Sequence, residues 1–259
     1  MNQIASAQSL SNVSAEEWAL RCDLAALYRL VAHFRMTDFI YTHLSARVPG
    51  PEHHFLINRY GVLFHEMRAS DLVKIDLDGN IIDQGGDLQT RKVNAAGFTI
   101  HSAIHMARPD LLCVMHTHTA AGIAVSAQKR GLLPLSQQSM KFYNRIGYHD
   151  YEGVALDLGE RDRLVADLGS HKAMILRNHG LLVGGVSIAD AFLTMYTLER
   201  ACQAQLAAMS CGEELIFPPH AVCEHAGEQL NREGNEEHQA MAWQSALRLI
   251  ENDKPDYRS

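Results

Sequence analysis

The sequence predicts an α/β protein, a mixed sheet with helices on both faces. Three observations predict it. Strand-like and helix-like stretches alternate along the chain. Asp78-Gly79-Asn80, between two apolar segments, is a hairpin signal, and a hairpin places antiparallel neighbours in the sheet. The short apolar runs Leu111-Leu112-Cys113-Val114-Met115 and Ala173-Met174-Ile175-Leu176 read as buried strands.

The elements follow in order. Residues 1 to 13 read as a flexible tail. Ser14 with Glu17 forms a capping box, which opens a helix to about Phe34 with Leu20, Leu24, Leu27 and Val31 on one side. Strands are expected over 39–44, 54–57, 72–77 and 81–82. A second helix spans Ala95 to Met106 and stops at Arg108-Pro109, because proline disfavours helix in the residue before it. A strand over 111–117, a helix through Ser126 and a loop over 131–138 come next. An extended stretch over 147–155, a helix over 160–168 and a strand over 173–177 follow. Ser187 opens a long helix with Ile188, Phe192, Met195, Leu198 and Cys202 at helical spacing. Phe217-Pro218-Pro219 breaks the chain, and a last helix runs from about Glu236 to Ile250.

Composition narrows the function classes. The chain has 259 residues and a net charge of -7, with lysine and arginine scattered, so nucleic acid and anionic membrane are not expected partners. No apolar run is long enough for a membrane span, and the N-terminus lacks the pattern of a signal peptide. Five cysteines, odd in number and without C-x-x-C spacing, read as reduced thiols of a cytoplasmic protein. Neither a Gly-x-Gly-x-x-Gly nor a P-loop supports nucleotide binding.

The chemistry gathers at histidines that close the two buried strands. His116-Thr117-His118 ends the first, and Asn178-His179-Gly180 follows the second. Residues two apart on a strand share one face, so His116 and His118 can aim at one point. On a helix they would diverge by about 200°. Histidines at strand ends also serve only to satisfy backbone groups, so the pair alone leaves both readings open. A third imidazole from His179 would complete a three-nitrogen site with open positions, the arrangement of a catalytic rather than a structural ion.

These motifs together resemble the class II aldolase/adducin family. The landmarks run from Tyr41-Thr42-His43-Leu44-Ser45-Ala46-Arg47 through Ser70-Asp71-Leu72-Val73 and Arg108-Pro109-Asp110 to His116-Thr117-His118 and Arg177-Asn178-His179-Gly180. The resemblance implies a three-layer α/β/α sandwich around a mixed, largely antiparallel sheet, a single domain over 14–259 with a C-terminal helical extension from about 211. It implies tetramers with the loop 135–145 near a neighbour's metal. It also implies a divalent ion, zinc first and manganese or iron(II) as alternatives, on His116, His118 and His179.

The departures from the family's pattern are specific. Where the aldolases carry an acid/base glutamate, this chain has Gly97; where two serines hold the substrate phosphate, it has Ala95 and Ala96. The phosphate loop reads Thr42-His43-Leu44-Ser45, and a proton-donating tyrosine falls near Gln137 or Gln138. The stretch from Asn94 to His105 resembles the adducin branch. His101 and Asn94 share the helical face of Gly97. His101 is therefore the candidate acid/base group, and Asn94 and His43 are candidate substrate contacts. Packing is the competing role for His101. Arg47 is expected in an ion pair, His53, His54, His65 and Glu66 at the surface, and Tyr143, Tyr148, His149 and Tyr151 in an aromatic cluster.

The function expected is a metal-dependent lyase, cleaving or decarboxylating a small oxo- or hydroxy-acid without a phosphate. The alternatives are an adducin-like scaffold with a vestigial metal site, or an iron-dependent oxygenase of an aromatic or keto acid.

Overall fold

The computed structural model describes residues 13–82, 92–232, 236–251 and 255–259. The expected tail lies outside these residues except for Val13. Helix α1 (Ala15–His33) precedes strands β1 (His43–Arg47), β2 (Phe55–Asn58) and β3 (Leu72–Ile75). Helix α2 (Ala95–Ala107), strand β4 (Cys113–Thr117) and helices α3 (Ala120–Ser126) and α4 (Gln137–Met140) follow. Then come β5 (Ile146–His149), α5 (Glu160–Leu168), β6 (Ala173–Leu176), β7 (Gly180–Gly185) and α6 (Ile188–Ser210). Helices α7 (His220–Asn231) and α8 (Glu236–Glu251) close the chain.

The seven strands form one sheet in the order β3-β2-β1-β4-β7-β6-β5. Every neighbouring pair is antiparallel except β5 with β6. This is the mixed, largely antiparallel sheet that was expected. Strand alternation sorts the side chains into two cores. Leu44, Ala46, Cys113, Met115, Leu181 and Val183 face one way, with α1, α6 and α8 packed on them. Val114, Met174, Leu176 and Leu182 face the other way, against Ile100 and Ile104 of α2 and Leu164 and Leu168 of α5. The result is the α/β/α sandwich.

Helix α1 begins where Ser14 accepts a hydrogen bond from the Glu17 amide. Its Tyr28 inserts a hydroxyl between β1 and β2. That hydroxyl accepts from the Leu44 amide at 2.9 Å and the Asn58 amide at 3.1 Å, and donates to the Leu44 carbonyl at 2.5 Å. The strand end that carries His43 is thus tied to α1 by a fully buried polar contact.

Several boundaries differ from expectation for physical reasons. Residues 39–42 form a turn and an irregular segment, so β1 starts only at His43. The extended stretch from 147 stops at His149. Strand β7 was not expected, because Gly-Leu-Leu-Val-Gly-Gly is poor in the β-branched residues that mark strands. Helix α7 was also missed; it starts directly after Pro219, a position where proline initiates helix as well as ends it. All five cysteines are free, as expected. Among the described residues, no helix is long and apolar enough to cross a membrane.

Candidate metal centre

Three elements deliver the three imidazoles. Strand β4 carries His116 in its ladder and ends one residue before His118. The turn from β6 to β7 delivers His179. That turn needs a left-handed residue, Asn178 at φ 54°, and a residue without a side chain at Gly180. A Cβ on Gly180 would lie 2.3 Å from the Thr117 carbonyl oxygen, so only glycine lets β7 pass this close to β4. The ring centroids stand 4.5 Å apart for His116 and His118, and 4.7 Å from each of these to His179. Their ligating atoms lie within 4.8 Å of one another; among the described residues no other such group of His, Cys, Asp or Glu occurs.

The hydrogen-bond partners assign the nitrogens. His116 Nδ1 donates to the Leu181 carbonyl at 3.0 Å, which leaves its Nε2 with a bare lone pair. His118 Nδ1 donates to the Asp38 carboxylate at 3.0 Å, which does the same for its Nε2. These two Nε2 atoms face each other at 2.7 Å. Two lone pairs at that distance repel unless a cation lies between them, a proton or a metal ion. The donor set therefore fits a divalent ion, with a backbone carbonyl and a carboxylate fixing two of its three ligands. Burial pushes His116 well below the ordinary imidazole pKa, and burial with the neighbouring imidazoles brings His179 down to about 4. Both are neutral at pH 7, the form that binds metal.

Asp38 escaped the sequence reading. It sits in a turn, with the Tyr41 amide bonded to its carbonyl and Phe39 at φ 48°, and no spacing rule links it to His118. Phe39 and Tyr41 beside it are exposed, as is Tyr151, whose ring lies 6.3 Å from that of His179. The expected aromatic cluster is dispersed. Tyr143 bonds His220, Tyr148 stacks under Arg177, and His149 is held by Asp167 at 2.7 Å. Arg47 makes no ion pair among the described residues. It donates instead to the His105 carbonyl.

The other sequence candidates lie on α2 and β1. His43 is the ladder partner of His116, so their side chains share the face that α2 covers. His43 is 3% exposed and neither ring nitrogen has a hydrogen-bond partner. Burial, then the nearby His118 imidazole, pushes its pKa down to about 3. His101 lies behind His43, fully buried, with a ring centroid distance of 6.1 Å. Its Nδ1 meets Ser45 Oγ at 2.6 Å, and His105 Nε2 meets the same oxygen at 2.8 Å. Asn94 uses its side chain to cap α2, accepting from the Ala96 amide. The structure thus brings His43 beside the three-histidine group, places His101 one step away, and gives Asn94 a capping contact.

The family described as Class II Aldolase and Adducin N-terminal domain matches residues 22–206. The chain belongs to this family. An aldolase II superfamily protein from Pseudomonas syringae, of solved structure, is 55% identical and aligns with a TM-score of 0.90 over 95% of this chain and 98% of that one. The L-fuculose 1-phosphate aldolase of Glaciozyma antarctica PI12 is 31% identical, with a TM-score of 0.83 over 96% of this chain and 95% of that one. Alpha-adducin of Rattus norvegicus is 43% identical over 211 residues, which is 81% of this chain and 28% of the adducin. Class II aldolase family membership therefore joins this chain both to an enzyme and to adducins.

Proposed function

We infer that this chain is a divalent-metal lyase whose substrate is a small hydroxy- or oxo-acid without a phosphate, broken at a carbon–carbon bond or decarboxylated. The observation that carries the reading is the set of three converging imidazoles with two back nitrogens anchored. Three imidazole nitrogens, with no fourth protein ligand converging on them among the described residues, suit zinc first, with manganese or iron(II) as alternatives. Bound there, the ion supplies Lewis acidity toward an oxygen beside the bond that breaks. His116, His118 and His179 hold it, and Asp38 orients His118. The exposed ring of Tyr151, 6.3 Å from that of His179, stands beside the group.

Sugar-phosphate cleavage, the activity named for the Glaciozyma relative, has little support here. At Gly97 a Cβ would lie 2.5 Å from His43 Cγ and Nδ1, so the space for a carboxylate is already filled by a ring. Ala95 and Ala96 offer no hydroxyl to a phosphate. Loss of a positioned acid/base group typically removes about 10²–10⁴ in rate. Gly97→Glu alone is therefore expected not to create efficient cleavage of sugar phosphates.

The adducin identity favours a second reading, a scaffold with a vestigial site. Elemental analysis of the untagged protein, followed by a screen of hydroxy- and oxo-acids, separates the two. A bound first-row metal with turnover supports the lyase. No bound metal, and no effect of added metal on stability or turnover, refutes it. Dioxygen uptake after iron loading would point to the oxygenase instead. The family resemblance also favours a tetramer, with the loop 135–145 near a neighbouring centre; sedimentation as a monomer at micromolar concentration would refute that assembly.

A further inference from the structure

Strand β1 and helix α2 interlock through alternate residues. His43 lies against Gly97, and Ser45, two residues on, lies against His101 and His105. The second contact is fully partnered on the serine side: its one hydroxyl donates to one imidazole and accepts from the other. The first contact is not. His43 is sealed, and neither of its ring nitrogens has a hydrogen-bond partner. A buried polar group left unpaired is costly, and such a group calls for a partner that arrives in the working state.

The position of the ring says which partner. His43 pairs with ligand His116 across the ladder and shares its face, yet it lies outside the group whose ligating atoms converge within 4.8 Å. It therefore stands next to the centre without being one of its ligands.

We propose that His43 and Gly97 act as one unit, in which the His43 imidazole takes the place of the side chain Gly97 lacks and hydrogen-bonds the carboxylate or hydroxyl oxygen of a 2-hydroxy- or 2-oxo-acid seated at the three-histidine centre. This rests on the metal-lyase reading above. Gly97 is the permissive half, since any Cβ there collides with the ring. Ser45, His101 and His105 are positioning residues that fix the strand and helix between which His43 is held. In this assignment His101 touches neither ion nor substrate.

The test uses the zinc-loaded protein and oxalate, a small dianionic probe. Zinc affinity and oxalate affinity are measured separately by calorimetry. His43→Phe and His43→Asn should keep zinc affinity within about threefold and weaken oxalate by about 10- to 100-fold, the worth of a hydrogen bond to a charged group. Gly97→Ala should weaken oxalate similarly by displacing the ring, and the double variant should be no weaker than either single one. In the unaltered protein, nitrogen NMR should show the His43 ring moving on oxalate addition and the His101 ring still. This measurement needs no variant to fold. Zinc bound with oxalate affinity unchanged in both His43 variants, or a still His43 signal, overturns the unit and leaves the lyase reading standing. Failure of the unaltered protein to bind any first-row metal overturns both.

Discussion

Two groups of histidines lie on the same face of one sheet, and they differ in what their nitrogens find. In the first, His116, His118 and His179 turn toward one point, and two of the three back nitrogens are held by Leu181 and Asp38. In the second, His43, His101 and His105 spread along the seam between β1 and α2, with Ser45 Oγ as the shared partner of two of them. Convergence offers three ring nitrogens to one point. Spreading makes a neutral, dry block whose members are costly to charge. The contrast shows that histidine count says little, and that the direction imposed by strand or helix decides the chemistry.

The sharpest way to break the contrast is to delete one member from each group. His118→Ala should lower metal affinity by more than about 100-fold, with the circular dichroism spectrum retained. His105→Phe should leave metal content intact in elemental analysis. Loss of metal in both variants would merge the two groups into one.

Acid tests the dryness of the second group next, although burial also pushes His116 and His179 of the first group down. Unfolded, each histidine takes a proton near pH 6.5. Folded, burial holds His43 and His105 off until about 3, and His101 is also pushed down. Between those values the unfolded chain binds more protons than the folded one, so stability is intact above about pH 6.5 and falls as pH falls. Each such histidine contributes a slope of up to about 1.4 kcal/mol per pH unit. Urea unfolding of the zinc-loaded protein from pH 7 to 5 should show this loss, and His105→Phe should flatten it. A flat profile would mean that the block is not dry.

Smaller effects sharpen the picture. Asp38→Ala frees the back nitrogen of His118 and should weaken metal binding about 10- to 100-fold, read by chelator competition. Unchanged affinity would make the Asp38 contact incidental. Ser45→Ala removes the shared partner of His101 and His105 and should destabilise the protein by about 1–3 kcal/mol without altering metal affinity.

How much of this was legible follows from the range over which each feature is encoded. His116 and His118 declare themselves because strand period acts over two residues. His179 declares itself less, through a tight turn after an apolar run. The sandwich was legible from alternation of elements and from the motif string, whereas β7 was hidden by its glycines, one of which is required by the approach to Thr117. Asp38 was illegible because a turn, not a period, aims it. Gly97 stood out only against the family's pattern. That His43 fills its place depends on the packing of β1 against α2, a contact between distant segments that no local rule carries. Asn94 looked like a substrate contact because it shares a helical face with Gly97, but a residue at a helix start is claimed by the unpaired amides there.

The ladder between β1 and β4 has a further consequence. It joins β3-β2-β1 to β4-β7-β6-β5, and all three converging histidines belong to the second set while His43 belongs to the first. A slip of one residue along this single ladder would leave the three converging histidines together, yet turn His43 to the opposite side of the sheet, toward α1. Register here acts as an address, deciding whether an otherwise intact three-histidine group has its neighbour. Tyr28 at the β1–β2 junction and Ser45 against α2 are the two pins that keep that address.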